Sequence, residues 1–219
     1  MYPTKTQGGT IVRRFKMAKQ KVNQKIVHMT EIAVLTAIII LMAFTPIGYI
    51  KTAGIEITLI TIPVIVGAIV LGPATGAFLG AVFGVTSFLQ AVLGLSPFGV
   101  MLMEINPFFC FLVCIPTRVL MGLCTGFIFR AFKKNKGVVA YSVSGLSGAL
   151  LNTLFFMSTL IALYWRTDFI QGLAEKLGAS NVFMFVILFV GINGLIEAIC
   201  CFVVASGIAK AVNKYIEKI

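Results

Sequence analysis

Four polar side chains lie inside long apolar stretches of the sequence, where polar groups are costly. Arg118 is the one charged residue of CFLVCIPTRVLMGLCTG, residues 110–126. Glu197 lies in another apolar stretch, and Asn193 precedes it by four residues, which places both on one face of a helix. Asn152 lies midway along a third stretch. An arginine at the centre of a bilayer costs about 2.5–3.5 kcal/mol on insertion scales, so we expect Arg118 to face protein or a wet cavity.

Further polar residues lie near the ends of these stretches. Glu56 begins one of them, and Glu104 and Asn106 precede the stretch that contains Arg118. Pro116 is expected to loosen the backbone just before the arginine, and freed backbone groups at membrane depth are tolerated where they line a cavity. Together these residues predict a partly wet pocket that opens outward. Its candidate ligand contacts are Arg118, Asn152, Asn193, Glu197, Glu104 and Asn106.

Arg118 has two interpretations. It belongs to a ligand site if the polar groups of several helices cluster at one depth, as its neighbours Asn152 and Asn193 indicate. Alternatively, Arg118 pairs with Glu197, and the pair only locks two helices together. The residues alone leave both interpretations open.

The composition is that of a membrane protein. Of the 219 residues, 59% are hydrophobic and only 11% are charged, whereas a soluble domain carries roughly a quarter charged residues. The net charge of +11 comes from basic residues at the flanks of apolar stretches, where they fix topology and contact anionic headgroups. Since no basic and aromatic residues interleave on a polar surface, nucleic-acid binding is not expected.

The apolar stretches predict an all-α integral membrane protein with six transmembrane helices in a compact bundle. A Gly-Pro break in LGPATG, residues 71–76, divides one overlong stretch into two helices. The linker WRTDFIQGLAEKLGASN is expected to hold a short amphipathic helix near the interface. The six predicted spans are Ile32–Ile50, Thr58–Leu71, Pro73–Leu93, Pro107–Phe132, Val138–Tyr164 and Asn181–Val212.

The distribution of basic residues predicts the orientation. Most of the 18 Lys and Arg lie before the first span, in the loop 130–136 and near the C-terminus, and only Lys51, Arg166 and Lys176 lie on the opposite side. The positive-inside rule therefore places both termini in the cytoplasm. We expect a basic cytoplasmic segment at 1–29, a six-helix domain at 30–212 and a short cytoplasmic tail at 213–219.

Enzymatic motifs are not found in the sequence. It has no P-loop, no HExxH and no Gly-rich dinucleotide fingerprint, so neither nucleotide hydrolysis nor another catalytic activity is expected. Cys110 and Cys114 share a helix face, but the single histidine, His28, is distant in the sequence. We expect no metal and no cofactor, and we interpret the five cysteines as reduced packing residues.

Small residues recur at helical spacing in two spans. Gly76, Gly80 and Gly84 form a doubled GxxxG, which predicts a close helix crossing inside the bundle. Ala33 and Ala37 form a single AxxxA in the first span, and this spacing allows a close approach by another helix. Taken alone, the alanine pair fits an internal contact as well as it fits a partner.

Residues from about 30 to 212 resemble the S components, the substrate-binding membrane subunits of energy-coupling factor (ECF) vitamin transporters. Four parts of the sequence carry the resemblance, and the glycine-rich second part is the most specific: EIAVLTAIII, ITLITIPVIVGAIVLGPATGAFLGAVFGVTS, IPTRVLMGLCTG with GALLNTLFF, and NGLIEAI. The resemblance implies a bacterial plasma-membrane protein that binds a small vitamin near the extracellular side. It also implies docking on a shared transmembrane subunit with two ATPases, with Ala33 and Ala37 facing that subunit.

Within this family the chain is most similar to the pantothenate-type subunits. Pantothenate carries a carboxylate that Arg118 can bind in a bidentate pair, and Asn152 and Asn193 can then contact its amide or hydroxyls. Glu197 is unfavourable beside an anion unless it pairs with Arg118 or is protonated. Subunits for riboflavin, folate or pyridoxine remain alternatives, as do a self-sufficient secondary transporter of a small organic anion and a structural membrane protein without a ligand.

Overall fold

The computed structural model describes residues 24–52, 55–132, 138–205, 207–208 and 211. Within these ranges the chain is almost entirely helical. Most of the predicted N-terminal segment 1–29 and all of the predicted tail 213–219 lie outside the described residues.

Eight α-helices and one β-hairpin make up the described part of the chain. The hairpin pairs β1 (Tyr49–Thr52) with β2 (Ile55–Thr58) in antiparallel register, with Tyr49 opposite Thr58, and a 3₁₀ turn at Pro46–Gly48 precedes it. A π-helical turn, Cys201–Ala205, follows the last helix. The helices are α1 (Gln24–Ala43), α2 (Thr61–Val70), α3 (Pro73–Val92), α4 (Pro97–Ile105), α5 (Pro107–Phe132), α6 (Val138–Tyr164), α7 (Asp168–Lys176) and α8 (Val182–Cys200).

Four of these helices, α1, α3, α5 and α6, are long and apolar enough to cross a membrane. The bent pair Val182–Gly191 and Gly194–Val204 meets at 52° and adds a fifth if it is one span. In contrast, α2 has 10 residues. At 1.5 Å per residue this is about half of the ~30 Å hydrocarbon core. The described residues therefore hold four or five helices of spanning length and one short apolar helix, where the sequence predicted six spans.

Helix boundaries agree with the prediction where proline and glycine set them. Both α5 and α6 have the predicted bounds, and the predicted break lies at Gly72, whose φ of 99° is in the region that favours glycine. Pro73 then opens α3 at a position where a missing N–H costs nothing. The predicted amphipathic helix is α7, and Thr167 caps it by accepting a hydrogen bond from the N–H of Ile170.

The predicted bounds of the first span are wrong. The first helix runs from Gln24 to Ala43 rather than from Ile32 to Ile50. The helix includes the polar residues Lys25 and His28, because their side chains are exposed and need no burial. After the helix, the Pro46–Gly48 turn leads into the hairpin, whose second strand alternates apolar and polar residues at the strand period. This hairpin is the exception to the predicted all-α fold.

A close helix crossing joins α3 to α5 through the predicted glycine motif. A methyl group on Gly80 would clash with the carbonyl oxygen of Arg118, and one on Gly84 would lie 2.7 Å from the Cα of Ile115. At Gly76 the backbone of Gly122 takes the same role, with its oxygen 2.5 Å from such a methyl. The prediction of a close crossing is confirmed, and this crossing fixes the turn of α5 that carries Arg118.

Buried apolar side chains form two clusters. The first joins α1, α2, α3, α5 and α6, with Ile39, Val64 and Leu79 fully buried. The second joins α4, α5, α6, α7 and α8 around Leu102 and Tyr164. The elements of the second cluster, together with α3 and β2, surround a cavity.

Candidate ligand-binding site

A cavity of about 590 Å³ lies among the helices α3 to α8. Its volume is in the range of small-molecule sites, and its wall combines aromatic rings with a few polar groups, as such sites do. The rings are Phe83, Phe98, Phe156, Phe169 and Phe189. The polar residues in the wall are Thr58, Ser87, Gln90, Ser96, Arg118, Asn152, Thr153 and Glu197.

Arg118 is held against the cavity by its own helix and by two rings. Its side chain is 9% exposed, and Nη1 donates hydrogen bonds to the carbonyl of Val113 and to Oγ1 of Thr117. The guanidinium carbon lies 5.4 Å from the ring centre of Phe83 and 4.9 Å from that of Phe156, within cation–π range. Nε is buried and has no hydrogen-bond partner within the described residues. A buried arginine with an unused donor, and with no carboxylate partner among the residues that the structure describes, favours an anionic or carbonyl ligand.

Glu197 joins three helices on another part of the wall. Its Oε1 accepts hydrogen bonds from Oγ1 of Thr61 at 3.2 Å and from Nδ2 of Asn152 at 3.3 Å. The side chain of Glu197 is 9% exposed, and Oδ1 of Asn152 is buried with no hydrogen-bond partner in the described part of the chain. This part of the wall therefore offers oxygen acceptors, which suit a ligand with hydroxyl or N–H donors.

The two charges have separate partners. The hydrogen bonds of Arg118 stay on α5, whereas those of Glu197 reach α2 and α6, and within the described part of the chain no hydrogen bond or ion pair joins the two. Arg118 and Glu197 nevertheless line one cavity. The structure thus disagrees with the interpretation in which Arg118 pairs with Glu197 only to lock two helices together.

Comparison with known proteins identifies the family. The model of the family "ECF transporter, substrate-specific component" matches residues 27–209. The chain belongs to this family. The matched range includes every residue of the cavity wall, so the cavity is part of the S component itself. A search of curated proteins finds no match.

Family membership gives the coarse function. An S component is the substrate-specific subunit of a transporter and acts with an energy-coupling module; it is not an enzyme. The helices of spanning length make this S component a multi-pass membrane protein. Its small-molecule substrate needs a site, and the cavity is the candidate.

Two of the candidate contacts predicted from the sequence lie outside the cavity wall of the S component. Glu104 is exposed on α4. Asn106 lies between α4 and α5, and its Oδ1 accepts hydrogen bonds from the N–H groups of Phe108 and Phe109 at 3.0 and 3.2 Å, which caps α5. Asn193 belongs to α8, but its side chain lies outside the described residues, as does that of Glu56.

Sequence reasoning missed the aromatic part of the wall. Phe98 is its centre, with ring-centre distances of 5.6 Å to Phe189, 5.9 Å to Phe169 and 6.4 Å to Phe156. These distances are typical of aromatic pairs. One signal was available, since Ser96 followed by Pro97 is a helix start, and this start places Phe98 in the first turn of α4.

Ala33 and Ala37 are both exposed on α1 of the S component. Val34, Ile38 and Leu41 are exposed on the same helix. This apolar face is exposed in the described part of the chain, so it is available to lipid or to a partner helix.

Proposed function

We propose that this S component captures a small water-soluble vitamin from outside the cell and delivers it by docking on a shared transmembrane subunit that carries two ATP-binding subunits. The observation that supports the proposal best is the buried, partly unpaired guanidinium of Arg118 on the wall of a cavity of about 590 Å³. Such a group favours an anionic substrate, because the ligand then completes its hydrogen bonding.

Pantothenate is the favoured substrate. Its carboxylate would bind Arg118, and its hydroxyls and amide would meet Asn152, Asn193 and Glu197. Since Glu197 is hydrogen-bonded to Thr61 and Asn152 rather than to the arginine, the ligand can offer an anion at one part of the wall and donors at another. Glu104 and Asn106 are left out of the proposed contacts because neither lines the cavity.

A riboflavin-type substrate is the second candidate. The ring layer of Phe98, Phe169 and Phe189 is the observation that favours it, because an isoalloxazine can stack on such rings. Folate and pyridoxine share the need for a ring surface and belong in the same test.

The proposed coupling uses the exposed face of α1. Ala33 and Ala37 would form a seam with the transmembrane subunit, where small side chains allow a close approach. The proposal keeps six crossings with both termini in the cytoplasm of a bacterium, with α2 completing the count as a short helix deep in the bundle. Its buried residues, among them Val64 and Ile65, support a position away from lipid.

Calorimetry with purified protein tests the substrate. Pantothenate, riboflavin, folate and pyridoxine are titrated in turn, and the proposal expects one of them to bind at one site with a dissociation constant below the micromolar range. Absence of binding by all four would contradict the vitamin proposal.

A liposome assay tests the mode of transport. Protein reconstituted alone is expected to accumulate no substrate, because no energy source is coupled to it. Accumulation driven by a proton gradient would instead make the chain a self-sufficient secondary transporter.

A further inference from the structure

Tyr164, the last residue of α6, is fully buried at 0% exposure although it carries a hydroxyl. That hydroxyl has one proton, which it shares between two backbone carbonyls, of Leu102 at 2.9 Å and of Asn106 at 3.0 Å. Leu102 lies in the last turn of α4, and Asn106 links α4 to α5. One phenol therefore bridges both sides of the α4–α5 junction.

Neither carbonyl needs this donor. The carbonyl of Leu102 already accepts from the N–H of Asn106 at 3.1 Å, and the carbonyl of Asn106 accepts from the N–H of Cys110 at 3.0 Å. Each carbonyl oxygen has a second lone pair, and the single proton of the Tyr164 hydroxyl is shared between these two spare acceptors. The bond thus adds a constraint between helices rather than rescuing an unsatisfied group.

The constrained helix forms a wall of the cavity. Phe98, Gly99, Met101 and Leu102 of α4 line it. At the other end of α4, the ring of Phe98 contacts rings from α6, α7 and α8. A tilt of α4 about its junction with α5 would move Phe98 and open the cavity.

We propose that Tyr164 is a positioning residue, whose hydroxyl holds α4 at the angle to α5 that closes the cavity over Arg118. The inference goes beyond the proposed function and requires no particular substrate. Loss of the hydroxyl leaves the ring contact with Phe109, at 5.9 Å between ring centres, and leaves both carbonyls with their helix donors. Tyr164→Phe should therefore fold, with a more mobile α4.

Cys110 reports on the position of α4. Its side chain is 0% exposed, and its sulfur lies 4.0 Å from the carbonyl oxygen of Gly99 on α4, so movement of α4 away from α5 should make the thiol more accessible to a reagent. The experiment labels Cys110 with N-ethylmaleimide in full-length protein whose other four cysteines are alanine. A parallel protein retains only Cys124, which lies two turns beyond Arg118 along α5 and is part-exposed.

We expect N-ethylmaleimide to label Cys110 roughly five- to tenfold faster in Tyr164→Phe, since one hydrogen bond of ordinary strength no longer opposes movement of α4 away from α5. Labelling of Cys124 should not change. Tyr141→Phe is the matched control, because Tyr141 is part-buried against Phe129 in the other apolar cluster, and it should alter neither rate.

Two results would overturn the inference: an unchanged rate at Cys110 in folded Tyr164→Phe, or an equal rise at Cys110 and Cys124, which would mean general loosening. A second measurement needs no change at Tyr164. In the two single-cysteine proteins that keep Tyr164, Cys110 should react far more slowly than Cys124. Equal rates would also contradict the proposal that α4 is held in place. Since no substrate is added, failure here leaves the proposed function untouched.

Discussion

Replacing Arg118 by alanine probes the proposed substrate contact. The substitution removes a guanidinium that has an unpaired Nε and lies against Phe83 and Phe156. A charge-assisted hydrogen bond to the ligand is worth about 1.5–3 kcal/mol, so we expect a loss of about 2 kcal/mol in binding. That loss raises the dissociation constant by about 30-fold.

The fold should survive this change. Glu197 takes its hydrogen bonds from Thr61 and Asn152, so removal of Arg118 leaves no carboxylate stripped of its partner. The carbonyl of Val113 keeps the hydroxyl of Thr117 as a donor. Thermal unfolding of Arg118→Ala should therefore stay within a few degrees of the wild type.

Calorimetry with two ligands isolates the contact. The favoured pair is pantothenate and pantothenol, the neutral alcohol in which the carboxylate is replaced. The wild type should prefer the anion, and Arg118→Ala should lose that preference, whereas Arg118→Lys should retain part of it because it keeps the charge without the planar fork. Arg130→Ala, at an exposed arginine on the same helix, is the matched control and should bind as the wild type does. Unchanged affinity of folded Arg118→Ala for the anionic substrate would refute the reasoning.

Three further substitutions have distinct expected outcomes. Ala37→Trp should stop uptake in cells that supply the partner subunits while substrate binding to the purified protein persists, and loss of binding as well would identify the seam as internal packing. Gly80→Ala should destabilise the protein by about 1–3 kcal/mol in a thermal unfolding assay, because the added methyl clashes with the backbone of Arg118. Gly172→Ala is the control and should not destabilise it, because Gly172 has open space around it. Equal effects of the two substitutions would contradict the close crossing. Glu197→Gln should leave thermal stability nearly unchanged, because the amide oxygen can accept the same two hydrogen bonds, and a fall like that of Gly80→Ala would show that the charge itself is needed.

The sequence predicted helix boundaries best where single residues restrict their own backbone. Pro107 opens α5, the polar sequence KKNKG follows its end at Phe132, and Gly72 with Pro73 divides α2 from α3, because these residues act on their own backbone. The six predicted spans leave out α4, since its nine residues give little periodicity. The 52° bend near Gly191 coincides with a φ of 35° at this glycine, and the neighbouring residues carry no sequence signal that predicts it.

The candidate site was predicted in part for a similar reason. Arg118, Asn152 and Glu197 are noticeable because polar side chains are rare in apolar helices, and all three line the cavity. The five wall phenylalanines are drawn from 19 in the chain, and only the packing of α3, α4, α6, α7 and α8 decides which of them face the cavity. Asn106 was a plausible ligand contact by type, but an asparagine before Pro107 also suits a helix cap, which is its role here.

Mass spectrometry of the purified protein tests the central claim most directly. Protein taken gently from bacterial membranes is denatured, and the small molecules released are identified and counted. We expect one vitamin, an anion such as pantothenate, near one molecule per chain, and far less of it from Arg118→Ala purified in parallel. Two results together would contradict vitamin binding at Arg118. The wild type would release no more of any small molecule than Arg118→Ala does, and it would not bind vitamins that are added back.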